Sequence, residues 1–332
     1  MTTLAPHLTA FLRERLPRER RASPHTCDAY AYAFQLLLAF ASKRLHTSPS
    51  ALALEQLDVP LVLAFLEDLE STRRNSIRSR NARLAAIKSF ARFVEYRVPS
   101  AMQQIHALLA IPSKKADEKL VGYLTRDEMQ AVLDAPDPCT RDGVRDRAML
   151  HLAFAAGLRV SELVGLRLSA LVLHPQPSIH VQGKGRRERI LPLWNTTTKA
   201  LRAWLALRPN ASCPELFLNA RGSHLTRDGF EYILAKHVTI ASVKAPSLSK
   251  KRVSPHVLRH TCAMHTLEAT HDIRKVALWL GHASMQTTEI YVRADPTAKL
   301  EAIGALLPPT LRRGRFRAPD NLIASLRTPK TS

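Results

Sequence analysis

The chain has 332 residues, 45% of them hydrophobic, which is long and apolar enough for two domains that each bury a core. Forty-nine Lys and Arg against 28 Asp and Glu give a formal charge of +21 at pH 7, which is typical of proteins that bind a polyanion such as nucleic acid. Neither a secretory start nor a membrane-spanning apolar run is evident, and four scattered cysteines without a C-x-x-C pair indicate neither zinc nor disulfides, so we expect a cytoplasmic protein.

The first segment predicts helices that each have one apolar face. Ser23 is placed as a cap and Pro24 as the first helical residue, and apolar residues follow at helical spacing: Tyr30, Phe34, Leu37, Leu38 and Ala41. A later helix carries an apolar face made of Leu84, Ile87, Ala91 and Val94. The region around it is rich in cations: Arg73, Arg74, Arg78, Arg80, Arg83, Lys88 and Arg92. Such a helix can pack and bind phosphate at once, and a merely solvated basic face is the alternative.

The segment over residues 111–119 is polar, charged and interrupted by Pro112, as is typical of a linker between domains. We therefore predict a helical domain over residues 1–110 and a second domain over residues 120–307. A basic tail over residues 308–332 follows. An apolar stripe before that tail could dock on a neighbouring subunit or pack on its own domain; it consists of Ala298, Leu300, Ile303, Leu306 and Leu307.

The second domain is predicted to open with a well-marked helix. Thr125 and Glu128 have the spacing of a capping box. Leu124 and Met129 stand where a hydrophobic staple would place them. The helix is predicted to begin there and to run to about Asp134.

Another helix is predicted over residues 144–156, ended by Gly157 in the left-handed conformation. The pattern then changes to short β-type runs within residues 178–193, which predict a small antiparallel sheet. Lys184 lies between two glycines at the tip of the predicted hairpin. The remainder is predicted to be helical, apart from the polar residues 244–254.

Six polar residues in the second half of the chain form an ordered set. A guanidinium binds anions, an imidazole passes protons near neutral pH, and a tyrosine hydroxyl can act as a nucleophile. Together they are the parts needed to break and reseal a nucleic-acid backbone without a metal. The residues are Arg159 in GLRVSEL, Lys184 in GKG, His256 and Arg259 in HVLR, His282 in LGH, and Tyr291.

Each residue has a plainer interpretation when it is taken alone. Arg159 could form only an exposed ion pair with Glu162 at i,i+3, and Lys184 could be a solvated turn residue. A lone histidine is more often a hydrogen-bonded core residue, and Tyr291 could be a core aromatic of an amphipathic helix. The joint order of the six favours a functional site.

This ordered set resembles the active site of the tyrosine recombinase (phage integrase) family, and all six positions match in type and order. The resemblance implies that Arg159 and Arg259 bind the scissile phosphate and that Lys184 protonates the departing 5′ oxygen. Tyr291 would be the nucleophile and form a 3′-phosphotyrosyl bond, so that neither a metal nor a nucleotide cofactor is needed. Glu162 would orient an arginine.

The two histidines of the set are expected to hold or pass protons. His256 and Arg259 are one helical turn apart, so both can face the same phosphate. His282 follows Gly281 at an expected helix start, where backbone amides would also favour an anion.

The resemblance further implies a mainly α fold with a small antiparallel β-sheet. An N-terminal helical core-binding domain would precede a C-terminal α/β catalytic domain. The partners would be double-stranded DNA recombination sites in the nucleoid, bound by a homo-tetramer (a dimer of dimers), alone or with a partner recombinase. Arg189 is interpreted as a clamp on the DNA backbone, and the other predicted DNA-binding residues are Arg74, Arg78, Arg80, Arg83, Lys88, Arg186 and Arg187.

The expected function is therefore site-specific recombination or integration, for a mobile element such as a transposon. A recombinase that resolves chromosome dimers is an alternative with the same chemistry. A type IB topoisomerase is another, against which the compact helical domain before the linker argues. From a different class, a DNA-binding accessory protein that has lost catalysis stays open, although the intact set of site residues argues against it.

Overall fold

The computed structural model describes residues 2–117, 121–183, 188–209, 212–282 and 285–294. The chain divides into two compact units, unit 1 over residues 1–118 and unit 2 over residues 119–332. Over the described residues the fold is helical with one small antiparallel sheet, which confirms the predicted fold class. Within the same ranges, no helix is both long and apolar enough to cross a bilayer.

Unit 1 is all helical over its described residues. Its helices are α1 Leu4–Ala10, which continues as a π-helical stretch Phe11–Glu19, α2 Pro24–Leu45, α3 Val59–Ser71, α4 Ile77–Val94 and α5 Met102–Ala110. The predicted start of α2 is confirmed, because the Ser23 side chain accepts a hydrogen bond from the backbone amide of Thr26 at 3.2 Å. Phe11, Phe34 and Phe90 meet edge to face at the centre of the unit, with ring centroids 5.3–6.2 Å apart.

The predicted apolar face of α4 is confirmed, since Leu84, Ile87, Ala91 and Val94 are all buried. The cations of the same region divide by exposure. Arg74 and Arg78 are exposed, whereas Arg83 and Lys88 are half-buried. For these four residues DNA binding stays a prediction.

Arg80 departs from its predicted role as a DNA-binding residue. Its side chain is only 4% exposed. Nε lies 3.3 Å from the carboxylate of Glu70, and Nη1 donates to the carbonyl of Pro112 at 3.3 Å. A cation so far from solvent needs a partner, and this one ties α3, α4 and the start of the predicted linker together. Arg80 therefore serves the fold of unit 1.

Unit 2 combines helices with one small sheet over its described residues. The helices are α6 Arg126–Asp134, α7 Arg141–Ala155, α8 Val160–Val164, α9 Asn195–Leu207, α10 Arg227–Ala241, α11 Pro255–Thr270, α12 Ile273–Leu280 and α13 Gln286–Ala294. The strands are β1 Leu171–Val172, β2 Ser178–Gln182 and β3 Glu188–Pro192, joined in that order and antiparallel. The predicted sheet is thereby confirmed.

Local sequence signals explain where the helices of unit 2 begin. The capping box is confirmed: Thr125 Oγ1 accepts from the amide of Glu128 at 3.3 Å, and Glu128 accepts from the amide of Thr125 at 2.8 Å. Helix α7 begins at Arg141, slightly before the predicted start, because Thr140 Oγ1 accepts from the amide of Gly143 at 3.0 Å.

Gly157 ends α7 as predicted, in the left-handed region at φ +54°. It also packs tightly. A Cβ at this position would lie 2.6 Å from Cδ2 of Leu280 and 3.1 Å from Sγ of Cys262. The glycine lets the end of α7 approach α11, which carries His256 and Arg259, and α12, which His282 follows.

We predict that Gly157→Ala lowers the free energy of unfolding of unit 2. The left-handed backbone costs about 1–2 kcal/mol for a residue with a Cβ, and overpacking adds about 1–3 kcal/mol. Gly222→Ala is the control, since Gly222 also has a positive φ of +77° but no heavy atom within 4 Å of its Cβ position. Urea denaturation should show a larger loss at Gly157 than at Gly222; equal losses would contradict the packing argument.

Candidate active site

Arg159 lies at the start of α8, in the extended conformation of a helix cap. Glu162, one turn further on, accepts a hydrogen bond from the backbone amide of Arg159 at 3.1 Å and from its Nη1 at 2.7 Å. The arginine is thus held at both ends by one carboxylate. About a third of its side chain remains exposed (29%), so it can still receive a ligand.

A second arginine binds the same carboxylate. Nη2 of Arg189 donates to Oε2 of Glu162 at 2.7 Å, and the Arg189 side chain is 9% exposed. This corrects the interpretation of Arg189 as a clamp on the DNA backbone, because a guanidinium so enclosed by protein is committed to Glu162. Burial raises the pKa of Glu162, but the hydrogen bonds and charges of Arg189 and Arg159 outweigh it, and the net pKa is lowered.

Arg259 projects from α11 and is 4% exposed. Its Nη1 donates to the carbonyl of Gly157 and its Nη2 to the carbonyl of Leu280 at 2.7 Å. These carbonyls belong to the C-terminal ends of α7 and α12, where the helix dipole favours a cation. Burial, with repulsion from Arg159, lowers the pKa of Arg259 to about 10, so the guanidinium is still charged at neutral pH.

His282 directly follows Gly281, whose φ of +64° ends α12. The expected helix start at this point is wrong: the amide of His282 donates to the carbonyl of Ala277 at 3.0 Å and is not free for an anion. Nδ1 of His282 lies 2.8 Å from Oγ1 of Thr288. Burial, reinforced by Arg259, lowers the pKa of His282 to about 4, so its imidazole is neutral at pH 7.

Two histidines one turn apart on α11 differ in their surroundings. His256, which the sequence indicated, is exposed, and its ring centroid lies 6.4 Å from that of His260. His260 is not one of the six residues that the sequence indicated. Its Nδ1 lies 2.9 Å from the hydroxyl of Tyr291. Burial, with the charges of His256 and Arg259, lowers the pKa of His260 to about 4. The available signal was its position, one turn after His256 on the same helix face.

Tyr291 lies on α13 and is 1% exposed. Its ring is nearly parallel to that of His282, at 8° with centroids 6.3 Å apart. Burial raises the pKa of Tyr291 to about 12, so the phenol is protonated at neutral pH. To act as a nucleophile it needs a proton acceptor, and His260 is in hydrogen-bond contact with it.

The structure therefore brings Arg159, Arg259, His282 and Tyr291 into one electrostatic neighbourhood, in which both arginines lower the pKa of His282. Lys184 lies outside the described residues, as do Arg186, Arg187, the apolar stripe and the basic tail. The strands on either side of Lys184 are described, and Gln182 pairs with Glu188 in their antiparallel register. In the described ranges, no group of three or more His, Cys, Asp or Glu side chains is arranged to hold a metal.

We predict that Glu162→Gln removes a pH-dependent part of the stability of unit 2. The lowered pKa of Glu162 means that its contribution is fully present above the ordinary glutamate pKa of about 4.3 and is lost as the pH falls through the lower folded value. Urea denaturation of the wild type and the variant should therefore differ at pH 7, by about 1.5–3 kcal/mol, and converge in acid. Glu231→Gln, at an exposed position of α10, is the control; a difference that does not change with pH would contradict the ion-pair assignment.

Comparison with known proteins gives two family matches. Residues 122–298 match the model described as "Phage integrase family", and residues 8–97 match "Phage integrase, N-terminal SAM-like domain". The protein "Putative integrase/recombinase y4rC" of Sinorhizobium fredii is 46% identical over 98% of this chain and 98% of its own length. "Tyrosine recombinase XerC" of Pelobacter propionicus is 37% identical over 89% of this chain and 93% of its own length.

Solved structures show the same fold at low identity. The post-cleavage complex of the XerH site-specific recombinase with a palindromic difH substrate is 21% identical, with a TM-score of 0.67 over 90% of this chain and 84% of that chain. The Tn1549 transposon integrase in complex with a circular intermediate DNA is 14% identical, with a TM-score of 0.66 over 90% of this chain and 99% of that chain. With a family match over more than half of its length and relatives aligned along nearly all of it, the chain belongs to the phage integrase family of tyrosine recombinases, which cut and rejoin DNA through a tyrosine intermediate.

Proposed function

We propose that this chain is a site-specific DNA recombinase in which Tyr291 attacks a DNA phosphodiester bound by Arg159 and Arg259. The observation that carries the proposal is the contact between the Tyr291 hydroxyl and Nδ1 of His260, close to the buried guanidinium of Arg259. A nucleophile, a proton acceptor and anion-binding groups thus occur together, as phosphoryl transfer requires.

The arginines would stabilise the charge that grows on the non-bridging phosphate oxygens. Arg259 is fixed by the carbonyls of Gly157 and Leu280, and Arg159 by Glu162. Donors that are already oriented need no rearrangement as the reaction proceeds, which makes them effective in a buried site. A guanidinium also stays charged at every physiological pH and presents a planar fork that matches phosphate.

The proton steps start from a neutral Tyr291 phenol and a neutral His260 imidazole. As Tyr291 attacks, its proton passes to Nδ1 of His260, a P–O bond to the tyrosine forms and the P–O5′ bond breaks. Lys184, by the family resemblance, gives a proton to the departing 5′ oxygen. Binding of the phosphodiester anion near His260 favours its protonated form, so the imidazole becomes a stronger base when DNA is bound. The reverse steps, with a 5′ hydroxyl as nucleophile, reseal a strand.

The proposed partners are double-stranded recombination sites bound by a homo-tetramer. Structures of this fold include a lambda integrase tetramer bound to a Holliday junction and XerH bound to difH, and the net charge of +21 suits a polyanion. The proposed DNA contacts of unit 1 are Arg74, Arg78, Arg83 and Lys88, and those of unit 2 are Arg186 and Arg187. If a partner recombinase shares the strand exchanges, the assembled complex contains it beside this chain.

The proposed biological role is recombination of a mobile element. The relative at 46% identity carries the name integrase/recombinase, and those described as XerC and XerD match at 34–37%. The second candidate is the resolution of chromosome dimers, which the Xer relatives favour. The same active-site chemistry serves both roles.

We predict that Tyr291→Phe abolishes covalent attachment to DNA and leaves DNA binding intact. Phenylalanine keeps the buried ring and removes the hydroxyl that contacts His260, at a cost of about 1 kcal/mol in stability. A duplex that binds the variant is first selected from a pool with a randomised central segment. The duplex is then nicked at successive positions and incubated in parallel with the wild type and with the variant, and adducts are detected on denaturing gels.

The expected result is an adduct with the wild type alone. An adduct formed by the variant would identify another nucleophile. The absence of an adduct from both proteins, on nicked duplexes that both demonstrably bind, would favour the catalytically silent accessory protein.

We predict that His260→Asn slows adduct formation by about 10²- to 10⁴-fold, the usual contribution of a general base. The Asn amide oxygen can accept a hydrogen bond near the position of Nδ1 but cannot take up a proton. Incorporation of a fluorinated tyrosine at position 291, which makes the phenol more acidic, should restore part of the rate in single-turnover measurements. A 5′-bridging phosphorothiolate, which relieves the need for a general acid, should not restore it; rescue by the sulfur substrate instead would assign His260 to the leaving group.

A further inference from the structure

Arg189 occupies an unusual position for a charged residue. In β3 the buried side chain of Leu191 and the side chain of Arg189, which is 9% exposed, alternate with the exposed side chains of Glu188, Ile190 and Pro192. Arg189 therefore lies on the face of the strand that packs against the body of unit 2. An arginine is rarely enclosed in this way unless a specific partner holds it.

The first partner is the carboxylate that holds Arg159. Glu162 accepts from Nη2 of Arg189 at 2.7 Å and, through its other oxygen, from Nη1 of Arg159 at 2.7 Å. The shortest bond of each carboxylate oxygen is thus to a different guanidinium, while Oε2 also accepts from the backbone amide of Arg159 at 3.1 Å and Oε1 from Nη1 of Arg189 at 3.4 Å. If Arg189 were absent, the Glu162 carboxylate would have no second guanidinium to share its charge with, and it would neutralise Arg159 more completely.

The second partner is the helix end that precedes His282. A Cβ built on Gly281 would lie 3.0 Å from Cδ and 3.2 Å from Nη1 of Arg189, so the arginine stem rests directly on this left-handed glycine. Its charge also reaches the site, since it adds to those that lower the pKa values of Arg259 and His282. Among the residues that the structure describes, none forms a hydrogen bond with the buried Nε of Arg189, so the side chain is held by its two terminal nitrogens and by packing.

We propose that Arg189 is a positioning residue with two roles. It shares the charge of Glu162, so that Arg159 is only partly neutralised and can bind an anionic ligand. It also fixes the Gly281 turn, so that His282 faces the same ligand. The inference rests on the proposed function, because the ligand is the scissile phosphate. Arg189 itself is enclosed by Glu162 and Gly281, so it acts through other groups. It joins the strand that follows Lys184 in sequence to the segments that carry Arg159 and His282.

The test compares Arg189→Met, which keeps the stem and loses the charge, with Arg189→Lys, which keeps the charge and loses the planar fork. Single-turnover adduct formation is measured on the nicked duplex at saturating protein, and binding of the same duplex is measured separately. Arg189→Met should lower the adduct rate roughly tenfold to a hundredfold, as a small misplacement of a charged group does, with the affinity for the duplex unchanged. Arg189→Lys should lie between it and the wild type.

The matched control is Arg208→Met, since Arg208 also donates to protein groups, the carbonyls of Cys213 and Glu215 at 2.7 and 2.8 Å. A loss of general stability would affect both Met variants, whereas only Arg189→Met should lower the adduct rate. Combination with Arg159→Lys makes the test specific. If Arg189 acts partly through Glu162 on Arg159, adding Arg189→Met to Arg159→Lys costs a smaller factor than it does in the wild type, because only the route through His282 remains, whereas independent effects would multiply in full.

Several outcomes would overturn the inference: folded Arg189 variants that form adduct at the wild-type rate, a loss confined to DNA affinity, or rate losses that multiply with that of Arg159→Lys. Failure of the proposed function looks different, because the wild type would then form no adduct on bound duplex. A readout independent of activity is the urea denaturation of Glu162→Gln, Arg189→Met and the double variant. Additive stability losses would show that the two side chains are not coupled and would overturn the inference whatever the activity.

Discussion

Repulsion among cations is the constraint that the site has to meet. Arg159, Arg189 and Arg259 lie close enough for Arg259 to be affected by both of the others, and like charges in a poorly solvated environment repel strongly. Glu162 is the carboxylate that pairs with two of the three. Because it compensates only part of the positive charge, the cluster retains a positive field. A phosphodiester anion would offset part of the remaining positive charge, so the same costly arrangement of cations suits an anionic ligand.

The backbone supplies the remaining compensation. Two left-handed glycines, Gly157 and Gly281, end α7 and α12 at the site. The carbonyls that the helix ends leave unpaired, at Gly157 and Leu280, are the acceptors for Arg259. The two helix ends thus form part of the site. Their unpaired carbonyls accept hydrogen bonds from the Arg259 guanidinium, and glycine occupies the positions where a side chain would block the close approach.

Burial favours the neutral form of the other titratable groups of the site. Desolvation raises the pKa of Tyr291 and lowers those of His260 and His282, so each of these groups is neutral at pH 7. The resting site holds its charge on arginine, which does not titrate near neutrality, and on Glu162. The titratable groups are left free to exchange a proton with one another when an anion changes their surroundings.

Local structure and the chemical groups of the site were predictable from short segments of the sequence. Capping residues such as Ser23 and Thr125, the stop at Gly157, the hairpin pattern around Lys184 and the apolar face of α4 each act within a few residues, so their signals are readable in one segment. The ordered motifs around Arg159, Arg259 and Tyr291 indicated the family, and the relatives confirmed it.

Which of several similar side chains belongs to the site depends on contacts between distant segments. Arg80 and Arg78 look alike in sequence, but Glu70 on another helix accounts for the burial of Arg80. Strand alternation places Arg189 inward, yet its partner Glu162 lies on a distant helix. His260 contacts the hydroxyl of Tyr291 because α11 and α13 pack together. These outcomes depend on pairs of residues far apart in the chain, and no local pattern of charge or hydrophobicity specifies such a pair.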